Sequence, residues 1–455
     1  MPILRPMPVT APGPPGAVML RSVAAIRRDP LAFLARIRAE YGDLVQLPIP
    51  SPATYLVSQP EAVRQVLVGN ARGYGKRTPQ YSSLSLVTGE GLLTADTDAW
   101  REQRPLVQPA FHRSALDPVG GHVRDAVERL LERWSWVDGH VVDVDAAMMH
   151  LTLEVVGASL FGSDLSGDAD RLATATLDAL HVVVTKARNP LAMPLYVPTR
   201  TNVVLRRAVA ELDSAVAAML AERAHRPRPD RDAPRDLLDL LLAAHDDGST
   251  LAAQRVRDQV VTFIVAGHET VASALTWAWH LLALHPTATA RLRAESEALG
   301  RAPTSDDVDR LPYAAAVLDE VLRLYPPAWL ITRRALAPDV LAGVRIPAEA
   351  LVIVSPWIVH READAWPAPE RFDPGRFLDE DGRRRRDVVA SPAYLPFGAG
   401  PRLCVGRDMA LLEGVLVLAS LVTRVDLEPA DPVPRAVPLV TIRPASGLPM
   451  RMHVR

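Results

Sequence analysis

Cysteine is nearly missing from this sequence: its 455 residues contain one, Cys404. A lone thiol excludes an intramolecular disulfide framework and any zinc or iron–sulfur site built from several cysteines. It also fits a reducing compartment. A surplus of one charge is missing as well. The 51 Lys and Arg face 53 Asp and Glu, a formal net charge of −2, so the basic excess of a nucleic-acid binder is not there. The dense run Arg383–Arg386 reads as a solvated loop. The N-terminus has no apolar core of the kind a signal peptide or membrane anchor needs, being proline-rich instead, and residues 1–20 are expected to be flexible. No later stretch approaches the roughly 18 uninterrupted apolar residues of a spanning helix. These absences imply a cytoplasmic protein with no nucleic-acid partner and no membrane anchor.

What is present is mostly helical periodicity. Asp29–Tyr41 has apolar residues at helical spacing and ends at Gly42; strand-like runs Leu44–Ile49 and Thr54–Val57 and a helix Pro60–Val68 follow. Gly69–Asp98, rich in Gly, Thr and Ser, reads as a long loop. From Trp100 to Leu299 helices succeed one another, with breaks near Asp117–Pro118, Gly162–Gly167, Asn189–Pro198 and His225–Pro234. Ala252–Leu284 is strongly apolar and free of proline, which predicts one long buried helix stopped before Pro286. After Tyr325 come proline-rich, short strand-like pieces, and a last helix spans Arg407–Thr423. The fold class is mainly α with a small β-rich part, expected as a single domain over residues 1–455.

The sharpest feature is Phe397–Gly406, FGAGPRLCVG. It sets the only thiol in a glycine-rich turn before the last apolar helix, where backbone N–H groups and the helix dipole favour a thiolate. Gly398, Gly400 and Gly406 would let the backbone pass close to a flat cofactor, and Arg402 could pair with a carboxylate on it. An isolated Cys is more often a small, inert core residue. Here, however, all five fixed positions of Phe-x-x-Gly-x-Arg-x-Cys-x-Gly are matched, and the sequence at this point resembles the cytochrome P-450 family of haem-thiolate monooxygenases. A dinucleotide reading of the same glycines fails, because the third glycine position is Leu403 and the βαβ context is missing.

Further motifs follow the family's order. Within the long helix, Ala266-Gly267-His268-Glu269-Thr270 resembles the family's oxygen-activation motif. The resemblance implies that Gly267 opens the helix over the haem and that Thr270 and Glu269 handle protons. Taken alone, Thr270 would simply bond the carbonyl four residues back. A zinc-protease reading of His268-Glu269 fails, since the second histidine position is Ala272. Glu320-Val-Leu-Arg323 matches Glu-x-x-Arg and is joined, by resemblance, by Arg376 of Phe372–Phe377 in a structural triad. Trp100 and Arg104 resemble the pair that holds a haem propionate, a task suited to the guanidinium fork. Arg334 is the expected third propionate residue, with Arg333 as its neighbouring alternative.

The resemblance implies a cytochrome P-450 fold with its long central helix over the haem, haem b (iron protoporphyrin IX) held through Cys404, and site residues Trp100, Arg104, Ala266, Glu269, Thr270, Arg334, Phe397, Arg402, Cys404 and Gly406. It also implies a monooxygenase that hydroxylates a small apolar molecule with O2. Only about thirty residues follow the last helix, too few for a reductase, so electrons are expected from a separate partner, which the resemblance implies is a ferredoxin or similar donor; basic residues including Arg383–Arg386 are one candidate docking surface. The pocket is expected to draw on Tyr74–Leu93, Val265–Ala266, Pro327–Thr332 and Ser446–Leu448, whose Leu, Val, Ala, Trp329 and Ile331 suit an apolar ligand. A terpenoid, another secondary metabolite or a fatty-acyl chain would fit. A peroxide-driven or non-oxygenating haem-thiolate enzyme is the alternative, disfavoured by the intact Glu269-Thr270 pair.

Overall fold

The computed structural model describes residues 10–49, 52–134, 138–188, 193–225, 236–244, 250–430 and 434–455. Local sequence sets many of its element ends. The Asp29 carboxylate accepts the N–H of Ala32 and caps the helix Pro30–Tyr41, which stops at Gly42 with φ +95°, a conformation glycine takes at little cost. Strands run over Leu44–Leu47 and Thr54–Val57. The helix expected over Pro60–Val68 is α-helical only to Arg64 and widens into a π-turn over Gln65–Gly69.

The expected long loop Gly69–Asp98 is a correction. It contains the short strand Tyr74–Gly75 and the helix Pro79–Thr88. Its serine-rich composition hides that helix, whose start is held by side chains distant in sequence: the Thr78 and Thr332 hydroxyls lie 2.7 Å apart, and Gln80 Nε2 donates to the Leu330 carbonyl. Gly16–Arg28 is also helical, and its first five residues fall in the stretch expected to be flexible. The predicted break His225–Pro234 lies, apart from His225, outside the described residues.

The chain forms two compact units. The first, Met1–Ser82, Leu322–Phe372 and Arg386–Cys404, is organised by a five-stranded sheet in the order Leu44–Leu47, Thr54–Val57, Leu351–Val354, Ile331–Ala335, Tyr74–Gly75. Thr54 pairs with Leu351 in parallel, and Ile331 with Val354 antiparallel.

The second unit is Ser83–Val321, Asp373–Arg385 and Val405–Arg455. Its core is the long helix Thr250–Leu284 packed along Val144–Phe161, with Arg407–Val422 against Val119–Arg133. Gly267 permits the first contact: a Cβ there would come within 3.0 Å of Val156 Cγ2. A three-stranded sheet orders Val141–Asp143, Pro449–Val454 and Val425–Pro429. Two helices, Val144–Phe161 and the Ala252–Leu284 part of the long helix, are long and apolar enough to cross a membrane. Most of each is buried inside the fold, 78% and 83%, as core helices of this composition are.

The arginine run is not simply a solvated loop. Arg384 donates from Nε and Nη2 to the two oxygens of buried Asp319, at 2.6 and 2.8 Å, while Arg383 pairs on the surface with Asp381. Such a fork-to-carboxylate pair is directional and leaves a desolvated acid behind when broken. Arg384→Ala is therefore expected to lower stability by about 1–3 kcal/mol in chemical denaturation. The same change at exposed Arg383 should shift it by less than about 0.5 kcal/mol.

Candidate functional site

Cys404 lies exposed at the end of a turn built for close approach. Its N–H donates to the Phe397 carbonyl at 3.0 Å, closing the loop. Gly398 and Gly400 both take φ +71°. Around Gly398 a Cβ would meet only Ile331 Cδ1, at 3.9 Å, whereas at Gly400 it would strike the Leu67 carbonyl oxygen at 2.0 Å. The π-turn Gln65–Gly69 thus seats the thiol loop. Gly406 departs from expectation. Its φ is −87°, it forms the N-cap of Arg407–Val422, and a Cβ there would make ordinary contact with the Phe111 ring at 3.5 Å. Phe397 and Arg402 are half-buried.

The floor of this loop is a buried polar knot in which sequence reading marks Arg323 but not His360. Arg323, fully buried, donates to the carbonyls of His360 at 3.0 Å, Pro369 at 2.6 Å and Arg371 at 3.1 Å. His360 Nδ1 lies 3.1 Å from the Arg323 carbonyl, and its Nε2 accepts the Leu395 N–H at 2.7 Å. That pairing makes Nδ1 the protonated nitrogen. Burial pushes the imidazole down to about 3, so it stays neutral. Its ring stacks on Tyr394, and Trp366 Nε1 donates to the Ala393 carbonyl. The only sequence signal for His360 was an unassigned histidine in an apolar stretch. In the second unit, Glu320 accepts the Asp373 N–H at 2.9 Å and stands 3.4 Å from Arg376 Nε.

On the long helix, Ala266, Gly267 and Thr270 are half-open while Thr262–Val265, His268 and Glu269 are buried. One narrow face of an otherwise buried helix is therefore accessible. The Thr270 hydroxyl donates to the Ala266 carbonyl at 2.8 Å, the pattern a helix-interior threonine adopts by default. Glu269 turns to a different partner, accepting a hydrogen bond from the Thr441 hydroxyl. Burial pushes its carboxyl up to about 7, against the opposing field of Arg443. Beside this helix, Glu90 N–H donates to Asp258, Leu92 N–H donates to Gln259, and a Cβ on Gly91 would meet Thr262 Oγ1 at 2.0 Å. Part of the predicted pocket segment is thus strapped onto the helix.

Trp100 and Arg104 sit one turn apart on the helix Thr97–Val107, both half-buried, with Asp96 as N-cap. The two neighbouring arginines Arg333 and Arg334 differ in their surroundings. The Arg334 guanidinium pairs with exposed Glu349, while Arg333 is the buried neighbour, 6% exposed, donating to the Thr332 carbonyl at 2.9 Å. Alternation along the strand turns the two side chains to opposite faces.

The residues fit a haem. Among the described residues no three His, Cys, Asp or Glu gather to hold a metal ion. The open side of Gly398 and the exposed thiol can face such a flat group.

The cytochrome P-450 family model matches residues 11–447. This chain belongs to the cytochrome P-450 family. It is a monooxygenase of that family, whose members carry haem and act with O2 and a redox partner. Its curated relatives include cyclooctatin synthase of Streptomyces melanosporofaciens, 37% identical over 96% of this chain and 94% of that one. Pentalenene oxygenase of Streptomyces avermitilis is 34% identical, with 97% of each covered. A six-coordinated cytochrome P-450 crystal structure from Thermus thermophilus matches with TM-score 0.73 and 32% identity, covering 93% of this chain and 98% of that one.

Two outcomes are expected. Gly400→Ala and Gly398→Ala both incur the left-handed penalty of about 1–2 kcal/mol, but Gly400→Ala should unfold at distinctly lower temperature because its methyl group also displaces the Leu67 carbonyl. Glu269 supplies stability that is complete below its ordinary value of 4.5 and is lost as pH rises through about 7. Denaturation midpoints measured between pH 5 and 8 should fall less steeply in Glu269→Gln than in the parent.

Proposed function

We propose that this monooxygenase hydroxylates a terpenoid or similar apolar secondary metabolite, and that the Cys404 thiolate would hold the iron of haem b. The observation that carries the ligand assignment is the exposed thiol on the glycine turn, the chain's only cysteine. The substrate class is supported by relatives named for oxidising pentalenene and cyclooctat-9-en-7-ol, and by the apolar side chains of the predicted segments. Leu84, Val87, Leu92, Val265, Trp329, Ile331 and Leu448 are all under 9% exposed.

When bound, the haem supplies activation of O2 for insertion into a C–H bond, and the thiolate tunes it by donating charge. The chain's residues do the rest. The helix dipole of Arg407–Val422 and the closed loop favour Cys404 as thiolate. Trp100, Arg104 and Arg402 hold the propionates, joined by Arg333 in place of Arg334, whose guanidinium is engaged by Glu349. Phe397 and Gly406 frame the thiol, and Ala266 and Gly267 leave room beside the long helix. Thr270, already bonded to the Ala266 carbonyl, keeps its oxygen lone pairs to accept a proton-bearing neighbour, and Glu269 supplies the proton. A ferredoxin is the electron donor in this reading, the location is cytoplasmic, and one catalytic domain spans residues 1–455. Arg384 is left out of any docking surface, since Asp319 occupies its fork.

The reduced, CO-bound absorption spectrum tests the assignment. The parent should show the red-shifted thiolate band, and Cys404→Ala should lose it while still binding haem. An unshifted parent band, or a red-shifted band surviving in Cys404→Ala, would sink the proposal.

A further inference from the structure

Glu269 belongs to a buried cluster whose charges do not balance. On the first turn of Val144–Phe161 stands Asp145, 8% exposed; opposite it, on the strand Ile442–Pro444, stands Arg443, 4% exposed. Arg443 Nη2 donates to Asp145 Oδ2 at 2.6 Å, and its Nη1 lies 2.8 Å from Met149 Sδ. The Thr276 hydroxyl lies 3.2 Å from the other Asp145 oxygen and donates to the nearer Ala272 carbonyl at 2.8 Å. Glu269, 2% exposed, receives among the described residues a hydroxyl, that of Thr441. His268, the neighbour on the same helix, is fully buried. Its Nε2 has no hydrogen-bond partner among the described residues, and burial with Arg443 nearby pushes it down to about 4, so it brings no charge.

Two carboxyls therefore share one guanidinium in a region closed to water. Ionising both would leave a net negative charge buried without compensation, which low-dielectric surroundings oppose. One proton must stay, and geometry decides where. Burial pushes both carboxyls upward, but Asp145 has the direct ion pair that opposes this, so it is the acid whose anion is better held; Glu269 has the weaker claim on Arg443. We propose that Glu269 stands in the resting enzyme as a carboxylic acid, because Asp145 holds the arginine that would otherwise stabilise its anion. Asp145, Arg443 and Thr441 are then positioning residues for the proton supply. This inference deepens the reading of Glu269 as proton donor and rests on it: the proton passes from the Glu269 carboxyl to the oxygen atom that the redox partner's electrons reduce to water, Glu269 is left as the anion, and solvent returns a proton to it after turnover. The direction of the Glu269 shift noted above agrees with the charge count.

Infrared difference spectra of the haem-loaded enzyme across pH 5–9 read the protonated-carboxyl C=O stretch directly, with H2O/D2O exchange to identify it. At pH 6 the parent should show a band that is missing from Glu269→Gln and that disappears as pH rises past neutrality. In Asp145→Asn the freed Arg443 turns to Glu269, and the midpoint should fall by at least one pH unit. Thr441→Val, which keeps the Asp145–Arg443 pair and serves if Asp145→Asn does not fold, removes the donor to the anion and should move the midpoint upward. A parent without the band at pH 6, a band that persists in Glu269→Gln, or a midpoint unmoved in both other variants would overturn the proposal. The fraction of reducing equivalents lost to peroxide separates this from the donor reading. If Glu269→Gln leaves that fraction unchanged while the band behaves as expected, the protonation state stands and the donor role fails.

Discussion

A single buried guanidinium organises the surroundings of the thiol. Arg323 reaches three backbone carbonyls that belong to a segment without regular secondary structure. A chain of that kind cannot satisfy its own carbonyls internally, and burying them unpaired would be costly. The arginine resolves that problem and is itself resolved by it, since each donor replaces a lost water. His360 extends the arrangement by bonding the Arg323 carbonyl on one side and the Leu395 N–H on the other. Two residues beyond Leu395 the thiol loop begins. Its geometry is thus inherited from a rigid polar floor instead of being fixed by the loop's own weak propensities.

The sequence made the regular parts legible. The cap at Asp29, the stop at Gly42, the strand Thr54–Val57 and the long proline-free helix follow from local rules, and the structure has each of them within a few residues. The helix Pro79–Thr88 was not legible, because what holds it is a pair of threonines 254 residues apart and not periodicity. Arg333 and Arg334 could not be ranked for a related reason: adjacent arginines look alike until a strand turns one inward and Glu349 claims the other.

For the candidate site, motif spacing located Cys404, Glu269 and Thr270 but said nothing about their partners. Thr441, Arg443 and Asp145 come from segments about 300 residues apart, and no pattern in a linear reading joins them. Gly406 shows the opposite limit. It matches the motif, yet its backbone conformation is one any residue adopts. Motif membership and conformational need are separate facts.

The parallel pairing of Thr54–Val57 with Leu351–Val354 has a consequence for biosynthesis. At ordinary elongation speeds an emerging N-terminal hairpin waits on the order of tens of seconds for that third strand. The carbonyl of Leu67 waits longer still for Gly400. The nascent protein therefore cannot seat its thiol loop on the ribosome until more than three hundred further residues have followed Leu67, and the hairpin edge is open to wrong pairing throughout that interval.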